Sequence, residues 1–189
     1  MKFNPENRQK LNSPERQKRL PPQKILNILS PKTGSVIADV GCGIGFLSIP
    51  AAKMLGPKGR VIAMDISDVM LGDIEKRIKQ ENITNIIPKK SREYEFPLDD
   101  ASVDMAIIVN VLHEVDDKVR FMKEVARILK RSGRIGIVEW DIKDTGYGPP
   151  LEERISHDKM MHYLSASGLR FTISHVISDS FVMYLAERP

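Results

Sequence analysis

From residue 36 onward, short apolar runs alternate with segments of helical period. Val36–Val40 reads as a buried strand, and residues 45–55 as a helix closed by Gly56 and Pro57. Residues 61–65 form a second strand, after which Ser67 caps a helix with Val69, Met70, Ile74 and Ile78 on one face. Residues 85–88 predict a short third strand, Val103–Val109 a fourth and residues 134–140 a fifth. Between the last two, residues 117–130 predict an amphipathic helix with Val119, Phe121, Met122, Val125, Ile128 and Leu129 turned inward. Continuously apolar strands alternating with helices imply a parallel sheet covered on both faces. The pattern changes near the C-terminus. A helix over 156–167 stops at Gly168, and strands over 171–177 and 181–186 flank Ser178-Asp179-Ser180. So short a connection favours a hairpin, and one of the pair is therefore antiparallel. The prediction is an α/β three-layer sandwich with a seven-stranded, mostly parallel sheet and an antiparallel C-terminal strand.

Residues 1–20 lack a sustained apolar period and predict an arm with short helical pieces. Ser13-Pro14-Glu15 is a helix start, with serine as N-cap and proline at the first helical position. A second start follows at Pro21-Pro22, and Ile25, Leu26, Ile28 and Leu29 give that helix an apolar stripe. The chain divides into a basic arm and helix over 1–30, which reads either as a solvated face or as a lid anchored by Phe3, Leu11 and Leu20, and a domain over 31–189. Charge sharpens this division. Residues 1–24 carry seven basic and two acidic groups, while the other 165 carry 22 and 23, so the net +4 resides in the arm. No basic surface on the domain is implied, which argues against nucleic acid as a partner. No run approaches the roughly 20 apolar residues of a membrane span. The single cysteine can form neither an internal disulfide nor a cysteine zinc cage, and fits a reducing cytoplasm. A monomer or homodimer is expected, and His157, His162 and His175 do not form a metal-ligand set.

The most informative stretch is Asp39-Val40-Gly41-Cys42-Gly43-Ile44-Gly45, between the first strand and its helix. Glycines there permit a tight turn and close approach of a ligand to the backbone. A dinucleotide fingerprint fails in both registers, because the third position is Phe46 or Ser48. A phosphate loop with its lysine is absent too. What remains is Gly-x-Gly-x-Gly, preceded by Asp39 and followed by Asp65 at the end of the second strand. An acid at the second strand suits ribose hydroxyls, and an acid beside the glycines suits a cation where a phosphate would be repelled.

These residues resemble the class I S-adenosylmethionine-dependent methyltransferases, a Rossmann-like family, and within it the UbiE-like, type 11 group. Asp39-x-Gly-x-Gly-x-Gly matches the first motif and Met64-Asp65-Ile66-Ser67 the second. Residues 103–114 match the fourth-strand motif, and Leu129-Lys130-Arg131-Ser132-Gly133-Arg134 the approach to the fifth strand, with Arg131 and Ser132 replacing the usual proline and glycine. The resemblance implies S-adenosylmethionine as cofactor and S-adenosylhomocysteine as product. It implies Gly41, Gly43 and Gly45 against the methionine part, with Cys42 a small packed residue among them and Asp39 near the ammonium. Asp65 would hold the ribose and Ile66 would pack on the adenine. Ser91, Arg92 and Glu93 occupy the adenine-edge position, where Arg92 replaces the family's aspartate, so Ser91, Glu93 or backbone must take the amino group. Asn110, Val111 and His113 would line the cavity near the sulfonium, His113 being the candidate catalytic residue. Glu114 is expected to cap a helix. Phe3 and Tyr147, the latter within Gly146-Tyr147-Gly148-Pro149-Pro150, are candidates for the substrate pocket.

Methyl transfer from a sulfonium needs chiefly alignment at about 3–3.5 Å, with a base only where the acceptor is not already nucleophilic. The Asp/Asn-Pro-Pro-Tyr/Phe motif of enzymes that methylate base or glutamine amino groups is absent, since Asn110 is followed by Val111-Leu112-His113. Cys42, the sole thiol, lies in the cofactor loop, which excludes a cysteine-nucleophile mechanism at pyrimidine carbon and thiol-dependent arsenic methylation. A small-molecule acceptor is the leading expectation. The alternatives are a nucleic-acid or protein methyltransferase that uses the basic arm as a clamp, and a cofactor-binding module without catalysis.

Overall fold

Seven strands, β1 (Val36–Val40), β2 (Arg60–Asp65), β3 (Ile86–Lys90), β4 (Val103–Val109), β5 (Leu129–Trp140), β6 (Arg170–Ser178) and β7 (Phe181–Glu187), form one sheet in the order β3-β2-β1-β4-β5-β7-β6. The computed structural model describes residues 4–189, so Phe3 lies outside the described residues. β1 to β5 pair in parallel. β7 is antiparallel to both β5 and β6 and is inserted between them. From β1 the chain winds outward to β2 and β3, then returns to place β4 on the other side of β1. Loops leaving β1 and β4 thus diverge from adjacent strand ends, the place where open parallel sheets bind ligands.

Alternation along the strands builds a core on each face. Ile37, Val61, Ala63, Met105, Ile107 and Val138 pack under α2 (Pro22–Leu29), α3 (Ser48–Leu55) and α4 (Asp68–Gln80). Ala38, Val40, Ile62, Ile108, Ile135 and Ile137 pack against α5 (Lys118–Ile128) and α6 (His157–Ala166). This is the expected three-layer sandwich.

Several boundaries differ from the sequence reading for local reasons. The helix expected from residue 45 begins at Ser48, because Gly41, Gly43 and Gly45 all have positive φ and hold residues 41–47 as a loop. β6 reaches Ser178, which leaves only Asp179 and Ser180 in the hairpin. Glu114 does not cap a helix. It ends a 3-10 turn over Leu112–Glu114, and α5 is capped by Asp117, whose carboxylate accepts the Arg120 N–H at 2.9 Å.

The arm is attached to the body through its far end. A 3-10 segment over Pro5–Asn12 leads into α1 (Pro14–Arg19), with Ser13 accepting the Arg16 N–H as predicted. Leu20, Ile25, Leu26 and Leu29 are fully buried in the same cluster as Ile37 and Leu55. Each such side chain contributes about 1.5–3 kcal/mol. The half-exposed Arg8–Asp73 pair at 2.5 Å adds no more than about 1 kcal/mol. Apolar burial, not charge, anchors the arm.

Candidate functional site

A cavity of about 770 Å³ opens beyond the carboxyl ends of β1, β2, β4 and β5. Its floor is the loop after β1. The N–H groups of Gly41 and Cys42 both donate to the Met64 carbonyl, at 2.8 and 2.9 Å, which ties the loop to β2. A Cβ on Gly41 would lie 2.4 Å from Val111 Cγ2, so only glycine lets the loops from β1 and β4 meet. Gly45 serves another purpose. A Cβ there would lie 2.8 Å from the Ile74 side chain, and Gly45 is not among the residues lining the cavity. Its role is to seat α4, whereas Gly41 and Gly43 face the cavity. Cys42 lines it as a buried thiol, pushed up in pKa first by burial and then by the Asp39 and Asp65 charges.

Two carboxylates flank this floor. Asp39 is 3% exposed and accepts the Ser48 hydroxyl at 2.5 Å. Burial, only partly offset by that hydrogen bond, raises its pKa to about 6. Asp65 accepts two backbone N–H groups, from Gly43 at 2.8 Å and from Ser67 at 2.9 Å, one on each oxygen. Burial still holds its pKa up. Each oxygen of a carboxylate keeps a second acceptor site. Asp65 therefore fastens the glycine loop to the start of α4 while still facing the cavity.

Ile66 is half-exposed on this wall, an apolar surface directed at the cavity. Ser91, Arg92 and Glu93 line the same wall. Ser91 is buried and its N–H donates to the Asp65 carbonyl at 3.0 Å, while Arg92 turns to Glu95 at 2.9 Å. Across from them, Asn110 has a left-handed backbone, φ 55°, which points its short side chain into the site. Its amide nitrogen and oxygen are both buried without a hydrogen-bond partner among the described residues.

Val111 and His113 follow in the cavity wall. His113 is 7% exposed at its side chain and meets a carboxylate that the sequence reading overlooked. Glu139, near the end of β5 and 1% exposed, accepts the His113 N–H at 3.2 Å and lies 2.7 Å from Nδ1. Facing a carboxylate oxygen, Nδ1 carries a proton, and Nε2 is the ring nitrogen left for the cavity. Glu114 Oε1 stands 3.8 Å from Nε2. Burial pulls the imidazole pKa down, but the hydrogen bond and charge of Glu139, with the charge of Glu114, outweigh it and the net direction is upward. The signal available in the sequence was one acid inside the apolar run Ile135–Trp140: a buried strand does not carry a carboxylate without a partner.

The remaining wall comes from the arm and from residues 141–150. Leu11 and Arg16 line the cavity, and Leu11 would touch a Cβ on Gly43 at 3.3 Å. Gly148, Pro149 and Pro150 line it too, but Tyr147 does not. The Tyr147 ring is 55% exposed and lies 3.7 Å from the Arg19 guanidinium carbon, so the expectation for its side chain is corrected. The buried Arg154 shapes this segment by donating to the carbonyls of Asp141, Lys143, Tyr147 and Pro149. Nothing in sequence spacing singled it out. His157 packs near Phe171 and Tyr184, and His162 near Tyr163, away from the cavity.

Comparison with known proteins identifies the family. The profile of a family described as "methyltransferase domain" matches residues 37–133. A demethylmenaquinone methyltransferase of Lactobacillus johnsonii is 36% identical over 118 residues, 62% of this chain and 48% of the relative. The chain spans about half the length, or less, of the curated relatives it matches. The crystal structure of a SAM-dependent methyltransferase from Aquifex aeolicus superposes with a TM-score of 0.93 at 29% identity, covering 98% of both chains. A putative type 11 methyltransferase from Sulfolobus solfataricus gives 0.71 at 28% identity, covering 89% of this chain and 91% of its own.

Proposed function

Because the chain belongs to the methyltransferase domain family, we propose that it transfers a methyl group from S-adenosylmethionine to a small-molecule acceptor by in-line displacement. The observation that carries this reading is that one cavity brings together Asp39, the glycine floor, Asp65 and Asn110. The residues present fit the cofactor. The unpartnered Asn110 amide offers a donor and an acceptor inside the site, and Asp65 keeps acceptor capacity for two hydroxyls beyond its backbone bonds. Asp65 would hold the ribose and Ile66 the adenine face, while Asp39 would take the ammonium. When bound, S-adenosylmethionine supplies a methyl group on a sulfonium, which is already a good leaving group.

The chain's own task is then to align the acceptor and remove its proton where it has one to lose. His113 is the base in this reading, with Nε2 accepting the acceptor's proton while Glu139 retains the proton on Nδ1. Glu139 does not line the cavity and acts through His113 as a positioning residue. A small-molecule acceptor gains support from the relatives named for demethylmenaquinone methylation.

S-adenosylmethionine and S-adenosylhomocysteine should each stabilise the protein by mass action. At about 100 Kd the gain is about 2.7 kcal/mol, or roughly 5–10 °C in Tm for a chain of this size. Saturating cofactor without a thermal shift, with NAD giving one instead, would overturn the reading. A screen of acceptors with methyl-labelled cofactor then identifies the acceptor atom.

A further inference from the structure

The arm contributes to the cavity a charge that the reading above leaves without a task. Arg16 lies in α1, whose start is fixed by Ser13 and whose end leads into the fully buried Leu20. The Arg16 carbonyl accepts the Leu20 N–H at 2.8 Å, so the residue stands one turn from the arm's apolar anchor. Its guanidinium lies over the Phe46 ring, 4.8 Å from the centroid, and the side chain lines the cavity. Nε is buried without a hydrogen-bond partner among the described residues. Burial lowers its pKa to about 10, which leaves it a cation at neutral pH. No carboxylate among the described residues pairs with it, whereas Arg8 in the same arm has Asp73. The side chain is partly exposed and only Nε is buried, so the guanidinium is partly desolvated with no carboxylate beside it among the described residues, and an anionic ligand in the cavity would offset that cost.

The opposite charge is already in place. Asp39 precedes the glycine loop, Phe46 follows it, and Asp39 and Arg16 line the same cavity. The Asp39 carboxylate has Ser48 as its neutral partner. A phosphate would satisfy Arg16 but be repelled by Asp39; a zwitterion satisfies both.

We infer that Asp39 and Arg16 are the two poles of an amino-acid clamp, in which Asp39 takes the ammonium and Arg16 the carboxylate of the cofactor's methionine end. This rests on the methyl-donor reading above and assigns a specific partner to the arm within it. Because Arg16 belongs to α1, ligand binding tightens the arm onto the glycine loop. Because Arg19 of the same helix stacks on Tyr147, α1 also links that loop to the wall formed by residues 141–150.

Calorimetric titration of three ligands tests the clamp. S-adenosylhomocysteine carries both charges, decarboxylated S-adenosylmethionine lacks the carboxylate, and 5′-methylthioadenosine lacks the whole amino-acid end. Arg16→Gln should weaken S-adenosylhomocysteine by about 10- to 100-fold, and change the other two by no more than about twofold. Arg16→Lys should recover part of the loss. Asp39→Asn should weaken both ammonium-bearing ligands and spare methylthioadenosine, whose binding also reports an intact site in each variant. Undiminished S-adenosylhomocysteine affinity in Arg16→Gln, or an equal loss for the decarboxylated ligand, overturns the clamp while leaving the methyl-donor reading standing. A wild-type protein that binds none of the three overturns both.

Discussion

At the scale of single residues, the proposed role of His113 as a base depends on how Glu139 shares its two oxygens. Glu139 uses one oxygen for the His113 backbone and the other for Nδ1. In Glu139→Gln the carbonyl oxygen keeps the backbone bond and the NH₂ group faces Nδ1, which must then give up its proton. Nε2 becomes the protonated nitrogen and the base is lost. The expected outcome is a fall in kcat of about 10²–10⁴ with S-adenosylhomocysteine affinity unchanged, measured by steady-state assay and titration. The pH profile adds an independent test. A base must be neutral, and Glu139 and Glu114 outweigh burial and raise the imidazole pKa from its ordinary value, so the wild-type rate should rise with pH through that raised pKa and level off above it. Removing the Glu139 charge moves any residual rise to lower pH. An unchanged kcat and profile would remove His113 from the chemistry. Asp39, the glycines and Asp65 could be read from sequence because their spacing is local. Glu139 is 26 positions from His113, and only the pairing of β4 with β5 brings the segments that follow and contain them together.

At the scale of elements, the segment from Asp141 to Pro150 gives the cavity Gly148, Pro149 and Pro150 although it consists of bends and irregular chain. Arg154 holds it by donating to four of its carbonyls. Replacing the guanidinium in Arg154→Met leaves those acceptors without their donor and should cost about 1–3 kcal/mol, read as a lower Tm. Limited proteolysis should cut faster between residues 141 and 150, with α6 and β7 remaining protected. Equal cleavage rates would show that the wall holds without Arg154. The sequence reading singled out Tyr147 within the glycine–proline pattern as the pocket residue, whereas Gly148, Pro149 and Pro150 line the cavity. Backbone constraint is visible in composition. Which side chain the constrained backbone turns inward depends on Arg154 and on Arg19, which holds the Tyr147 ring.

At the scale of the whole molecule, the excess charge of the arm is turned largely toward the protein. Arg8 pairs with Asp73, Arg16 lies over Phe46, Arg19 stacks on Tyr147, and Lys24 donates to the carbonyls of Val176 and Ile177. Phosphate binding by a clamp needs several free cations acting together, and its affinity falls steeply with salt. The expectation is that duplex DNA or RNA oligonucleotides show no saturable binding tighter than about 0.1 mM at physiological salt, the weak end of non-specific association. Fluorescence anisotropy across a salt series measures this directly. Micromolar binding that weakens steeply with salt would favour the nucleic-acid reading instead.

By itself, the sequence determined the α/β sandwich, because strand and helix periods are set by neighbours within a few residues. It determined the glycine floor and Asp65 for the same reason. The N-cap at Ser13 and the apolar stripe of α2 were equally local. Tertiary structure alone decided that Gly45 seats Ile74, that Asp117 rather than Glu114 starts α5, and that Glu139 meets His113. It also decided that Arg16, one of seven basic groups in the first 24 residues, lines the cavity partly buried, with its Nε out of solvent. Composition counts a charge wherever it stands; partial desolvation and the carboxylates within reach depend on how the arm packs, and those two conditions set which charge an anion can satisfy.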